Sequence, residues 1–296
     1  MIRILGTIFA GLLGLAFGSF LNVCLSRWPA GESVVKPRSH CRQCNRTLAW
    51  WENVPLVSWL ALRGRCRTCR AWIGWRYPLA ELAVGALWGL VGWSFFGQFQ
   101  QADVAPGPSL ALPQFGLIPA IAAMIFLWMM VGLAVLDAEH FWIADAATLP
   151  GIALGLAIPI LFESLLRTPL CWQSQFWIQI GERILGILAA AALILLIRWL
   201  YWLIRRREGI GLGDAKLMAL LAAWLGLPGA LLAFGLGVVL GALIALSQLA
   251  IPSARNQSGR WAMAKLPLGT FLCIGGIVSS LWGGTVLAAY QRWAGF

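Results

Sequence analysis

Two sets of residues in this chain have types and spacings that could do chemistry. The first is a pair of aspartates: Asp137 closes one long apolar run, and Asp214 opens another directly after Gly211-Leu212-Gly213. The chain has only 11 acidic residues, and ionisable groups at membrane depth usually serve function. Two carboxylates in one poorly solvated site hold a single proton between them near neutral pH. The ionised member can then take a proton from water as that water attacks a peptide carbonyl, while the protonated member stabilises the oxyanion and later protonates the leaving amine. Glycines at 211 and 213 clear side chains from around Asp214, which suits an extended peptide. On spacing alone other roles stay open. Asp214 fits a helix N-terminal cap, the reading given to Asp145 before Ala146-Ala147-Thr148, and Asp137 fits pairing with an arginine or lining a transport path. His140 reads as an interfacial packing residue and Glu139 as its solvated neighbour.

The second set is Cys41-x-x-Cys44 and Cys66-x-x-Cys69, two pairs separated by 21 residues. Each CxxC turn brings two thiolates to one side of an ion, and two turns complete a closed tetrahedral site for structural Zn²⁺. Four thiolates around Zn²⁺ leave a net negative charge, which Arg42, Arg46, Arg65, Arg67 and Arg70 in the same loop can offset. Two disulfides are the competing arrangement, and they require the oxidising side of the membrane. An Arg-rich metal module can also grip nucleic acid, but a basic loop tethered to a membrane more often faces anionic lipid. Membrane lipid is therefore the expected partner and nucleic acid is not.

The elements that must position these residues follow from composition. Of 296 residues, 60% are hydrophobic and only 11% charged, which excludes an ordinary water-soluble fold. Apolar runs long enough to cross a hydrocarbon core recur from Ile4–Leu25 to Leu266–Leu287. The first run has no A-x-A cleavage site and reads as a retained span. The net charge of +11 is distributed as a membrane protein's positive-inside bias: ten of the 22 Lys+Arg fall between Arg27 and Arg76, and others cluster at Arg205–Lys216 and Arg255–Lys265. Placing these loops in the cytoplasm predicts about eight transmembrane helices, near 4–26, 78–97, 117–136, 146–163, 180–203, 214–226, 229–251 and 266–288. Residues 214–251 could also form one overlong span, but two hinged at Leu227-Pro228-Gly229 keep Arg255, Arg260 and Lys265 on the cytoplasmic side. The expected architecture is an all-α polytopic membrane protein. It has a first span over 1–26, a small cytoplasmic zinc-binding loop over 27–77, and a transmembrane domain over 78–296 that carries both aspartates and would be the aspartyl peptidase if they are catalytic.

Taken jointly, the chain resembles the type IV prepilin peptidase family. The resemblance rests on Phe17-Gly18-Ser19-Phe20-Leu21-Asn22-Val23, both CxxC pairs, Trp75-Arg76-Tyr77-Pro78 with Glu81, the Asp137–Asp145 stretch, and Gly211-Leu212-Gly213-Asp214-Ala215-Lys216. One departure is Ala144, where the family usually has proline. The resemblance implies that Asp137 and Asp214 are catalytic. It implies as substrate a prepilin or pseudopilin of a type IV pilus or type II secretion system, cut after the glycine that ends a short basic leader. It further implies N-methylation of the new amino terminus from S-adenosylmethionine, with residues for that cofactor unknown, in the bacterial inner membrane with the active site facing the cytoplasm. A polytopic transporter with a cytoplasmic zinc module is the rival of another class, and a presenilin-like protease, which shares GxGD, is the rival within enzymes.

Overall fold

The structure, a computed structural model, describes residues 1–98, 116–166, 172–206, 211–250 and 267–295. Among them all extended elements are helices: α1 (Ile2–Arg27), the short α2 (Val57–Ala61), α3 (Arg76–Gln98), α4 (Leu117–His140), α5 (Asp145–Leu166), α6 (Trp172–Arg205), α7 (Leu212–Ala250) and α8 (Leu268–Ala294). Strand-like pairing is limited to two isolated bridges, His40 with Thr47 and Arg65 with Trp72. Among the described residues six helices are long and apolar enough to cross a membrane, and Asp145–Leu161 is a shorter apolar helix. Helix α7 breaks at Gly226, whose φ of 72° and ψ of 171° lie outside helical values. Only glycine adopts that backbone without strain, and Pro228 then supplies the fixed φ that suits a helix start. The break falls one residue ahead of the predicted hinge. The fold is all-α and polytopic as expected; where the sequence predicts about eight transmembrane helices, the described residues give six that are long enough to cross, the shorter helix and a break that divides α7 in two. The basic residues Arg207, Arg255, Arg260 and Lys265, used for orientation, lie outside the described residues.

The chain divides into two compact units, with the boundary inside α4 between Gly132 and Leu133. In the first unit α1 packs along α3, and glycines set the separation. A Cβ on Gly14 would lie 2.8 Å from that of Trp88, and one on Gly18 would lie 2.7 Å from the Glu81 Cα. Without a strong hydrophobic drive between helices in lipid, such small-residue contacts supply the packing. Indole N–H groups fasten the rest: Trp88 donates to the Met124 carbonyl at 2.9 Å and Trp128 to that of Phe17 at 3.0 Å. The loop after α1 is tied down by Arg27, which donates to the Ser33 and Pro37 carbonyls at 2.8 and 2.6 Å. Glu81 on α3 accepts the Leu56 N–H at 2.8 Å.

In the second unit α7 packs against α5, α6 and α8. Its first half is enclosed by protein: Leu217, Met218, Leu220, Leu221 and Ala223 are fully buried. That half, Leu212 to Gly226, spans roughly 20 Å at 1.5 Å per residue, short of a hydrocarbon core of about 30 Å. The second half meets α8 closely: a Cβ on Gly237 would lie 3.0 Å from the Phe271 carbonyl oxygen, and Ser279 Oγ donates to the Gly229 carbonyl at 2.9 Å. A Cβ on Gly275 would collide with the Ala233 carbonyl oxygen, whereas Gly235 faces open space. Gly275→Ala should therefore destabilise the protein by about 1–3 kcal/mol. Gly235→Ala should leave stability unchanged or raise it by up to about 1 kcal/mol through helix propensity. Thermal unfolding of the two variants in detergent, side by side, checks the contrast.

Candidate active site and metal centre

Asp137 and Asp214 both belong to the second unit, and both are buried, at 6% and 9% exposure. Asp137 stands near the C-terminal end of α4, and its backbone carbonyl accepts the Phe141 N–H at 2.9 Å as the chain turns away. Phe141 makes that turn with φ of 51°. Ala144 follows, buried, and its carbonyl accepts the Ala147 and Thr148 N–H groups at 3.0 Å and the Thr148 hydroxyl at 3.1 Å. Ala144 thereby opens α5, where the family's usual proline would stand. Asp145 begins the helix and pairs with Lys216 on α7, Nζ to Oδ1 2.7 Å. Both side chains are well exposed, so the pair contributes at most about 1 kcal/mol, and its role is to register α5 against α7.

Asp214 lies in the first turn of α7, and its Oδ2 accepts the Gly211 N–H at 3.2 Å. Asp214 is the third residue of α7, so this bond reaches back to the residue before the helix, as the N3 carboxylate of a capping box does, rather than from the N-cap position itself. Asp137 plays the same part for α8 from another helix: its Oδ2 accepts the Thr270 N–H at 2.6 Å and the Thr270 hydroxyl at 3.1 Å. No side-chain cap comes from α8 itself, where Pro267 precedes the first turn. Each carboxylate thus sits at the positive end of a helix and satisfies an N–H that the helix leaves free.

Ile143 lies between the two sites. A Cβ on Gly213 would touch the Ile143 side chain at 3.3 Å, and one on Gly269 would lie 3.1 Å from the same side chain and 2.9 Å from the Asp137 carboxyl. Beneath them Cys273 is fully buried, within electrostatic reach of both carboxylates, which also interact with each other. Glu139 and His140 are both exposed, with His140 Nε2 3.9 Å from Glu139 Oε2. Sequence reasoning missed Gly269, Thr270 and Ile143. For the first two a signal existed: Pro267-Leu268-Gly269-Thr270 places a breaker, a residue without a side chain and a hydroxyl where the last apolar run begins.

The cysteines belong to the first unit. Each pair sits on a tight hairpin, and the hairpin is built twice in the same way. Cys41 N–H donates to Arg46 O at 2.9 Å and Asn45 N–H to Cys41 O at 2.8 Å; Cys66 N–H donates to Ala71 O at 2.9 Å and Arg70 N–H to Cys66 O at 3.0 Å. Asn45 and Arg70 take the left-handed turn with φ of 53° and 55°. The four sulfurs lie within 4.8 Å of one another, and Cys41 Sγ is 3.7 Å from Cys69 Sγ. A tetrahedral Zn²⁺ with 2.3 Å bonds needs sulfurs about 3.8 Å apart, so the cluster fits the ion. All four are free thiols, and no disulfide occurs among the described cysteines.

Backbone N–H groups of Cys69 and Thr68 point at the Cys66 sulfur and draw its thiol down to about 6, toward the thiolate that a metal requires. Arg46 faces Cys66 as well, but its ion pair is with Glu52, Nη2 to Oε1 2.6 Å, and that guanidinium holds the Glu52 carboxyl below its ordinary range. Glu52 in turn accepts the Ala49 N–H at 2.8 Å, fixing the segment between the hairpins. Arg67 stacks on the Trp51 ring at 5.0 Å, and Arg42 donates to the Ser26 carbonyl. The five arginines expected to offset the cluster's charge are therefore partly engaged elsewhere.

With the geometry in hand, comparison with known proteins gives the family. The profile of the bacterial peptidase A24 N-terminal domain matches residues 12–95, and that of the type IV leader peptidase family matches residues 124–246. The chain is similar to the prepilin leader peptidase/N-methyltransferase of Stutzerimonas stutzeri, 33% identical over 96% of this chain and 93% of that one. It is similar to the protein of the same name from Burkholderia pseudomallei strain 1026b, 35% identical over 93% and 85%. The Pseudomonas aeruginosa protein of that name is 31% identical over 96% and 93%. No solved structure shows a significant match. Two family profiles and relatives alike along nearly their whole length place this multi-pass inner-membrane chain in the type IV leader peptidase family.

Proposed function

We propose that Asp137 and Asp214 are the catalytic pair of a membrane aspartyl endopeptidase that removes the short basic leader of prepilins or pseudopilins. Support for the assignment comes from one observation above all: two buried carboxylates, each accepting an N–H at a helix N-terminus, interact electrostatically in a site that Ile143, Gly213 and Gly269 line. One of the pair carries a proton and the other does not. The ionised carboxylate removes a proton from water as the oxygen bonds to the scissile carbonyl carbon. The protonated partner donates to the developing oxyanion; on collapse of the tetrahedral intermediate the C–N bond breaks as the nitrogen takes a proton from the carboxyl pair, which returns to its one-proton state. No covalent enzyme intermediate is required.

The enzyme is bifunctional: its relatives are named for both leader peptidase and N-methyltransferase activities, and they do not favour the transporter alternative. In our reading the methyl donor is S-adenosylmethionine, which transfers its methyl group to the amine that cleavage has freed. The active site faces the cytoplasm, at the level where a bilayer-anchored substrate helix presents its leader. Cys41, Cys44, Cys66 and Cys69 hold a structural Zn²⁺ that folds the 27–77 loop as a module, with the peptidase built from 78–296.

Asp137→Asn and Asp214→Asn should each lower leader cleavage by about 10²–10⁴-fold, the range for loss of general acid–base catalysis, while the protein still inserts and folds. Gel-based cleavage of a purified prepilin in detergent reads this out, and full cleavage by either variant would refute the mechanism. Metal analysis of the purified protein should find about one Zn²⁺ per chain, and Cys41→Ser should lose it. A wild-type protein without zinc, or a Cys41→Ser variant that retains it, contradicts the site.

A further inference from the structure

The contact between Asp137 and α8 carries an inference that rests on the catalytic reading just given. Thr270 offers two donors to a single oxygen, its N–H at 2.6 Å and its hydroxyl at 3.1 Å, both to Asp137 Oδ2. The same hydroxyl also stands 3.1 Å from the Ala134 carbonyl oxygen on α4. A hydroxyl has one proton and cannot donate to both acceptors at once. Gly269 adds the second constraint, because a Cβ there would lie 2.9 Å from the Asp137 carboxyl. The carboxyl plane is thus fixed from two sides, by a donor pair and by the close approach of a residue without a side chain.

We infer that Thr270 is a positioning residue for Asp137: it fixes Oδ2 and so assigns Oδ1 as the oxygen that exchanges a proton with water. While Asp137 is ionised the Thr270 hydroxyl donates to Oδ2. When Oδ1 takes the proton of the attacking water the carboxyl loses its charge, and the hydroxyl can turn to Ala134 O while the Thr270 N–H keeps the group in place. The side chain follows the charge without any movement of the helix. Valine, which has nearly the shape of threonine, cannot do this; serine can.

The test is steady-state cleavage of a purified prepilin by Thr270→Val, Thr270→Ser and Asp137→Asn beside the native enzyme. N-methylation of a peptide bearing the mature pilin amino terminus, measured on the same preparations, reports whether each is folded. Thr270→Val should lower kcat by about 10- to 100-fold, the worth of a hydrogen bond to a charged group, and leave KM within about twofold. Thr270→Ser should restore kcat to within about threefold of the native value. Should the valine variant fail to accumulate, Thr270→Ala is read in its place, with the same loss expected. A native kcat for the valine or alanine variant, a serine variant as slow as valine, or a loss carried by KM alone overturns the inference. Activity in Asp137→Asn would instead overturn the catalytic assignment beneath it.

Discussion

A carboxylate placed at membrane depth needs donors, and the second unit is arranged around supplying them. Two helices begin at the same end of the unit, and each gives an N–H from its first turn or cap to one aspartate: Gly211 to Asp214 and Thr270 to Asp137. Water that would otherwise solvate these groups is largely excluded, so the helix ends take its place. The rest follows from that demand. Helix α7 must start at Leu212, so the chain enters through glycines, and its first half must be enclosed by protein to keep lipid from the charge. The break at Gly226 then redirects the chain so that the second half can pack on α8, the helix that holds Asp137.

The two aspartates are consequently not equivalent. Asp137 accepts two donors at one oxygen from a neighbouring helix, while Asp214 accepts one N–H from its own entry loop. An asymmetric pair has a natural division of labour, since the better-solvated charge and the proton need not compete for the same group. Its cost is geometric: Gly269 and Gly213 must stay bare, because each approaches Asp137 or Ile143 too closely for a side chain to enter freely. The cysteine module in the other unit shows the same economy by a different route. One hairpin design, with a left-handed residue four places after its first cysteine, is used twice to bring four sulfurs together.

Much of this was legible in the sequence because its signals are local. CxxC spacing, long apolar runs and a glycine-flanked aspartate are written within a few residues, and the hinge was found to within one position. The positioning contacts were not, since Thr270 meets Asp137 across 133 residues and nothing at position 270 marks its partner. Ile143 was hidden for another reason: an apolar residue among many apolar residues carries no signal until packing shows which glycines it touches. The arginine-rich loop was legible only in outline, because composition counts charges but does not show that Arg46, which faces Cys66, is also paired with Glu52.

The claim at the centre of this account is that Asp137 and Asp214 act on one water as a unit. The most direct measurement is the cleavage rate of the double variant, Asp137→Asn with Asp214→Asn, set against both single variants under single-turnover conditions. Groups that act together are strongly non-additive, so the double variant should be no slower than the slower single one. Losses that multiply across the two positions would contradict the account and mark the aspartates as independent contributors.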